Sequence, residues 1–393
     1  MKIKTMRAID RFAGVPLCWL AGFWSTFVGR HKAAACPRMD TVLVMKFFGL
    51  GSVLLSTPVL TLLLEKLPHA RIIYLTFSSN RELLEKTGLP VDIITISDAS
   101  LAAFATTTIT ALRRLRSRSI DVVFDLEFFS KFSTLVSVLC GAPLRIGFDL
   151  PARWRRSNLT HPVPLEHSVH VARLFLRQLR AVDMHPSDQV NIIDLKASPE
   201  EIASMERKLD LTNDASEVIC VNINAGNTSL ERRWRPHRFV EVARQLVREK
   251  SSRRIFFIGN SGERRYVDAA LQSGGNGSSA FHNCSGALSL GELVALFRRS
   301  SLLLTNDSGP MHIADAAGTP VVALFGPESP AFYGPTGRSR VCYKAITCSP
   351  CLNIYNAKQF ICPYNTRCME EISTREVLEA IESLVPSGRV NGH

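Results

Sequence analysis

The sequence predicts an α/β protein made of two doubly wound, parallel-sheet domains, and three observations carry that prediction. Short apolar runs rich in β-branched residues alternate with helical patterns from Thr41 onward, and the series restarts at Val218. The stretch 301–327, SLLLTNDSGPMHIADAAGTPVVALFGP, reads as strand, polar Gly-Pro turn, short helix and second strand, which is a complete βαβ unit. A chain of 393 residues with 46% hydrophobic content is long and apolar enough for two cores.

In chain order, TVLVMKF opens the first sheet at Thr41, and a helix is expected through VLLSTPVLTLLLEKL. RIIYLTF, RELLEKTG, VDIITI, a helix near 101–117 and DVVFDL continue the alternation. A further helix is expected around 167–182, then a polar connector, DLKASPEEIASMERKLDLTNDASE. The second series runs from VICVNI through a helix near 237–249, IFFIG, helices near 263–273 and 290–299, and the 301–327 unit; 374–384 reads as a terminal helix. The implied organisation is an N-terminal segment over 1–38, domains over 39–195 and 217–370 joined by a connector at 196–216, and a C-terminal helix and tail over 371–393.

Within 301–327 the chemistry is concentrated at the turn. Ser308 or Gly309 suits a helix cap, Pro310 suits the first turn, and Gly318 followed by Pro320 stops the helix. Free backbone N–H groups at that helix start face the carboxyl end of a parallel sheet, where diphosphates are usually held. Asp307 and His312 flank the same spot.

The run TNDSGPMHIADAAGTPVVALFGPESPAFYGP closely resembles the nucleotide-sugar motif of glycosyltransferase family 9, the heptosyltransferase family with the GT-B fold. TVLVMKFFGLGSVLLSTPVL, NAGNTSLERRWRPHRFVEVARQL and FFIGNSGERR match the same family in the same order, so the resemblance extends from about Met39 to Leu384. It implies two Rossmann-like domains facing across a cleft, an acceptor on the first and a nucleotide sugar on the second, with the terminal helix crossing back to the first. Arg232 falls at the family's basic position two residues before Trp234, and Glu263 at an acidic position that touches the nucleotide ribose. Helix-dipole stabilisation alone accounts equally well for a Glu at that helix start.

One departure stands out against the family pattern. The amino-terminal motif normally ends in Gly-Asp, the Asp acting as general base; here it reads Gly49-Leu50-Gly51-Ser52. Serine is no base at neutral pH without an activator. Asp125-Leu126-Glu127, at the end of a predicted strand between Phe124 and Phe128, offers a replacement, with Glu127 preferred because Asp125 occupies a position where the family often has a structural Asp. Neither a metal nor a cofactor is expected, the nucleoside-diphosphate sugar serving as substrate.

The formal net charge of +12 comes without an RNA-binding signature, so phosphates or an anionic membrane surface, and not nucleic acid, are the expected partners. The N-terminal apolar stretch 13–28, with basic residues on both sides, fits an interfacial helix; a signal segment and an ordinary packing helix are the alternatives. Cys342, Cys348, Cys351, Cys362 and Cys368 crowd together, compatible with packing thiols, a local disulfide or structural zinc. The combined expectation is an inverting, metal-independent transferase. It is placed in the cytoplasm, peripheral to the inner membrane, and moves a sugar to a lipopolysaccharide or other lipid-linked envelope glycan. The alternatives are a sugar-nucleotide-binding protein without transferase activity and a nucleotide-sugar epimerase.

Overall fold

The computed structural model describes the chain except for residues 1–13, 29–38, 151–152, 167, 188, 227–228, 274–277, 354, 357–359 and 386–393. Two compact units divide at 191/192. In unit 1, six parallel strands, β1 (Thr41–Met45), β2 (Arg71–Phe77), β3 (Asp92–Ile96), β4 (Val122–Asp125), β5 (Leu144–Phe148) and β6 (His161–Val163), lie in the order β3-β2-β1-β4-β5-β6. The order reverses between β1 and β4, with Met45 beside Asp125 in register, so the loops after these two strands meet at the switch point.

Four unit 1 helices border this end of the sheet or pack beside it: α1 (Gly14–Val28), α2 (Leu50–Leu54), α3 (Lys131–Leu139) and α4 (Arg153–Arg156). The single helix expected after β1 is two, α2 and a second over Thr57–Lys66 with proline in its first turn. Pro58 has no N–H to continue the α2 ladder but suits a new helix start. Basic residues 2–11 lie outside the described residues.

Unit 2 repeats the architecture with β7 (Glu217–Asn222), β8 (Arg253–Phe257), β9 (Phe281–Asn283), β10 (Leu302–Asn306), β11 (Val321–Phe325) and β12 (Ser339–Tyr343), ordered β12-β11-β10-β7-β8-β9. β10 and β11 are buried at every position, as apolar runs inside a parallel sheet should be. Its switch point lies between β7 and β10, where Thr305 pairs with Asn222. Helix α5 (Gly309–Ala316) joins β10 to β11, with Ser308 at its N-cap and Gly318, at φ +77°, beyond its end.

The segment 196–216, expected as a connector, instead carries a helix over Pro199–Leu209 that belongs to unit 2. Ser198 and Glu201 close a capping box, and Ser204 and Lys208 bind Glu292 at 2.6 and 2.8 Å. The terminal helix, Thr374–Leu384, expected to cross back to the first domain, packs Val377, Ile381 and Leu384 into the unit 2 core with Trp234 and Phe239.

Candidate functional site

In unit 2 the site is built on the carboxyl ends of β7 and β10. Asn222 ends β7, and its Nδ2 donates to Ser308 Oγ at 2.8 Å and Thr305 Oγ1 at 3.0 Å. Ser308 therefore spends its hydroxyl on this cross-strand network and makes no side-chain cap bond to α5. A Cβ built on Gly309 would meet nothing within 4 Å, so the first residue of α5 borders open space. A helix start with room above it is suited to an anion. His312 is buried one turn along.

Arg232 sits on a 3₁₀ turn, Leu230–Arg232, and reaches back to this point. Its Nη1 donates to Asp307 Oδ2 at 3.1 Å and its Nη2 to Ala225 O at 2.8 Å, while Nε makes no hydrogen bond within the protein. The turn is anchored just downstream by Trp234, which is fully buried; its backbone N–H donates to Asn306 Oδ1 at 2.9 Å. The structure thus brings Arg232, Asp307, Ser308, Gly309 and His312 together.

Glu263 lies at the neighbouring strand end, after β8. Its Oε2 accepts from the Asn260 N–H at 2.9 Å, closing a capping box. A Cβ on Gly259 would lie 3.1 Å from that oxygen, 3.0 Å from Asn224 Nδ2 and 3.0 Å from Ser285 Oγ. The buried side-chain atoms of Asn224 and Ser285 make no hydrogen bond within the protein. They leave hydrogen-bonding capacity beside Glu263 that sequence reasoning missed; the N-x-N spacing of VNIN was its one visible trace.

Glu328, in the loop after β11, was also missed. Burial, and then the negative charge of Asp307, push its carboxyl up to about 8, against the Ser329 N–H and Arg232.

In unit 1 the expected residues gather at the β1/β4 switch point, as parts of a buried ionic network. Glu127 Oε1 pairs with Lys46 Nζ at 2.7 Å and accepts from the backbone N–H of Phe47 at 2.7 Å and Phe48 at 3.0 Å. Asp125 is fully buried; it pairs with Arg155 at 3.1 Å and accepts from Ser133 Oγ at 2.8 Å and the Glu127 N–H at 3.1 Å. Burial pushes its carboxyl up, against the pull of Arg155 and Ser133. Arg155 is itself inaccessible and also donates to Phe148 O, Glu127 O and Thr134 Oγ1.

Gly49, at φ +84°, turns the chain into α2, a conformation that favours glycine. Gly51 is buried and Ser52 half-buried on that helix. A Cβ on Gly49 would lie 3.2 Å from Ser52 Oγ, so the serine points back at the turn.

Comparison with known proteins bears on this arrangement directly. The profile of glycosyltransferase family 9 (heptosyltransferase) matches residues 109–361, more than half of the chain. The chain belongs to that family. Lipopolysaccharide heptosyltransferase 2 of Salmonella typhimurium is 31% identical over 117 residues, covering 30% of this chain and 33% of the relative; the chain thus matches about a third of that protein's length. Lipopolysaccharide heptosyltransferase 3 of Escherichia coli is 23% identical over 343 residues, 86% of this chain and 95% of the relative. The solved structure of E. coli ADP-heptose lps heptosyltransferase II superposes with a TM-score of 0.68 at 21% identity, covering 88% of this chain and 98% of that one, and shares the GT-B fold.

As a family 9 member, the chain carries the motif that suggested the resemblance at the β7/β10 switch point. Nine cysteines among the described residues are free thiols, and Cys36 lies outside them. Burial and the nearby thiols of Cys362 and Cys348 raise Cys351. Among the described residues, no group of three or more His, Cys, Asp or Glu side chains is placed to hold a metal ion.

Proposed function

We propose that this family 9 chain transfers a heptose or related sugar, with inversion, from a nucleoside-diphosphate donor to lipopolysaccharide core or another envelope glycan at the cytoplasmic face of the inner membrane. Unit 2 carries the donor and unit 1 the acceptor. The observation that carries the reading is the β7/β10 switch point, where Arg232, Ser308 and the open start of α5 converge. When the acceptor hydroxyl attacks the anomeric carbon, the bond to the diphosphate oxygen breaks and negative charge grows on the leaving diphosphate. The α5 N–H groups and Arg232 stabilise that charge. Asp307 holds Arg232 in place for the diphosphate, and Asn224 and Glu263 receive the nucleoside hydroxyls.

The acceptor's proton goes to Glu127 in this proposal, because Ser52 carries no carboxylate. Oε1 of Glu127 already accepts three hydrogen bonds, so proton acceptance falls to Oε2. The test is incubation of the purified chain with a nucleoside-diphosphate heptose, with and without truncated lipopolysaccharide core. Acceptor-dependent release of nucleoside diphosphate together with a heavier glycan supports the reading. Donor bound but unconverted, or converted to an epimer without acceptor, refutes it.

A further inference from the structure

Helix α1 is apolar all round: GVPLCWLAGFWSTFV contains no charged residue. A helix of that kind belongs in a core or against lipid. Here one face is buried on unit 1. Gly14 packs so closely that a Cβ there would lie 2.7 Å from Lys131 Cδ on α3. Cys18 is inaccessible, its carbonyl accepts from Asn158 Nδ2 at 3.0 Å, and its thiol donates to Lys131 O at 3.7 Å. At 100° per residue, Trp19, Leu20 and Phe23 fall on the opposite side, where they are 50, 66 and 67% exposed.

Length and charge select the occupant of that face. A helix of this length spans about 22 Å, short of the roughly 30 Å of a bilayer's hydrocarbon. No described helix is long and apolar enough to cross a membrane. The flanking sequence supplies Lys2, Lys4, Arg7 and Arg11 before the helix and Arg30, Lys32 and Arg38 after it, against the single acid Asp10. Aromatic and aliphatic side chains on one face, bracketed by cations, match a leaflet rich in anionic lipid.

We infer that α1 seats unit 1 on an anionic phospholipid surface, with Trp19 and Leu20 at the boundary of headgroups and acyl chains. Gly14 and Cys18 lock the helix to α3 and to Asn158, just past α4, so binding orients unit 1 on the surface and does not merely tether it. This deepens the proposed membrane-face localisation, but its evidence lies in unit 1 alone.

The experiment is sedimentation of the full chain with vesicles of phosphatidylcholine, alone or with about one third phosphatidylglycerol. The wild type is expected to bind the anionic vesicles at least about tenfold better, with the difference shrinking as salt is raised. Trp19→Glu/Leu20→Glu should lower partitioning about a hundredfold, about tenfold for each apolar side chain kept out of the interface, while melting temperature and donor affinity stay unchanged. Should the double variant melt early, Leu20→Gln alone must still weaken binding several-fold. Equal binding to both vesicles, or a double variant that binds like the wild type, overturns the inference. So does light scattering that shows a wild-type dimer, split by the double variant, with no vesicle binding. Vesicle binding with no sugar transfer would refute the transferase reading and leave this one standing.

Discussion

Replacing Glu127 with Gln tests the base and its structural setting together. The substitution keeps an oxygen for the Phe47 and Phe48 N–H groups but removes the charge facing Lys46, in a pair whose side chains are only 4 and 7% exposed. Losing one partner of a buried pair costs about 3–5 kcal/mol, and the retained hydrogen bonds place this case near 3. For a unit of this size that lowers the melting temperature by roughly 6–12 °C. Loss of a positioned base lowers kcat by about 10²–10⁴-fold with donor affinity nearly unchanged. Turnover and melting are measured on one preparation, well below the transition, so that rate is expressed per folded molecule. A several-degree drop in melting temperature with turnover within a few-fold of wild type refutes the assignment. Glu127 would then serve only to hold Lys46 and the Gly49 turn, and Asp125, Ser52 or the acceptor itself would be the next candidates.

The same geometry sets four further outcomes. Asp307→Ala and His312→Ala should each weaken donor binding or turnover by about 10–100-fold without unfolding the chain, as calorimetry with the nucleoside diphosphate and a melting curve will show. Gly309→Ala should leave the melting temperature alone, because the added methyl meets nothing within 4 Å, yet reduce donor affinity if a phosphate approaches the α5 N–H groups. Arg155→Met leaves Asp125 buried without its cation and should cost about 3–5 kcal/mol in denaturant unfolding. Glu328 titrates near 8 in the folded chain against an ordinary 4.5, so the folded state holds the extra proton between those values. Its contribution to stability is full below about pH 4.5 and is lost as pH rises toward 8, at up to about 1.4 kcal/mol per pH unit. Glu328→Gln should remove that part of the slope in unfolding midpoints measured at pH 5 and 8; an unchanged slope refutes the shift.

The sequence by itself determined the two parallel sheets, because apolar runs and turn residues are local signals that survive without tertiary context. It also placed Asp307, Ser308, Gly309 and His312 at a helix start, since cap, proline and stop signals all lie within twelve residues of one another. The helix over Pro199–Leu209 is hidden in a polar stretch, where the capping box of Ser198 and Glu201 is its local signal. Tertiary structure alone decided which charges meet. Arg232 and Asp307 are 75 residues apart, Lys46 and Glu127 81, and Asn158 and the α1 carbonyl it holds 140. The motif DLEF reads the same whether its carboxylates face solvent or close a buried network. The choice is made by Lys46 and Arg155, brought in by other turns of the chain, and by the burial that makes an unpaired charge too costly to leave there.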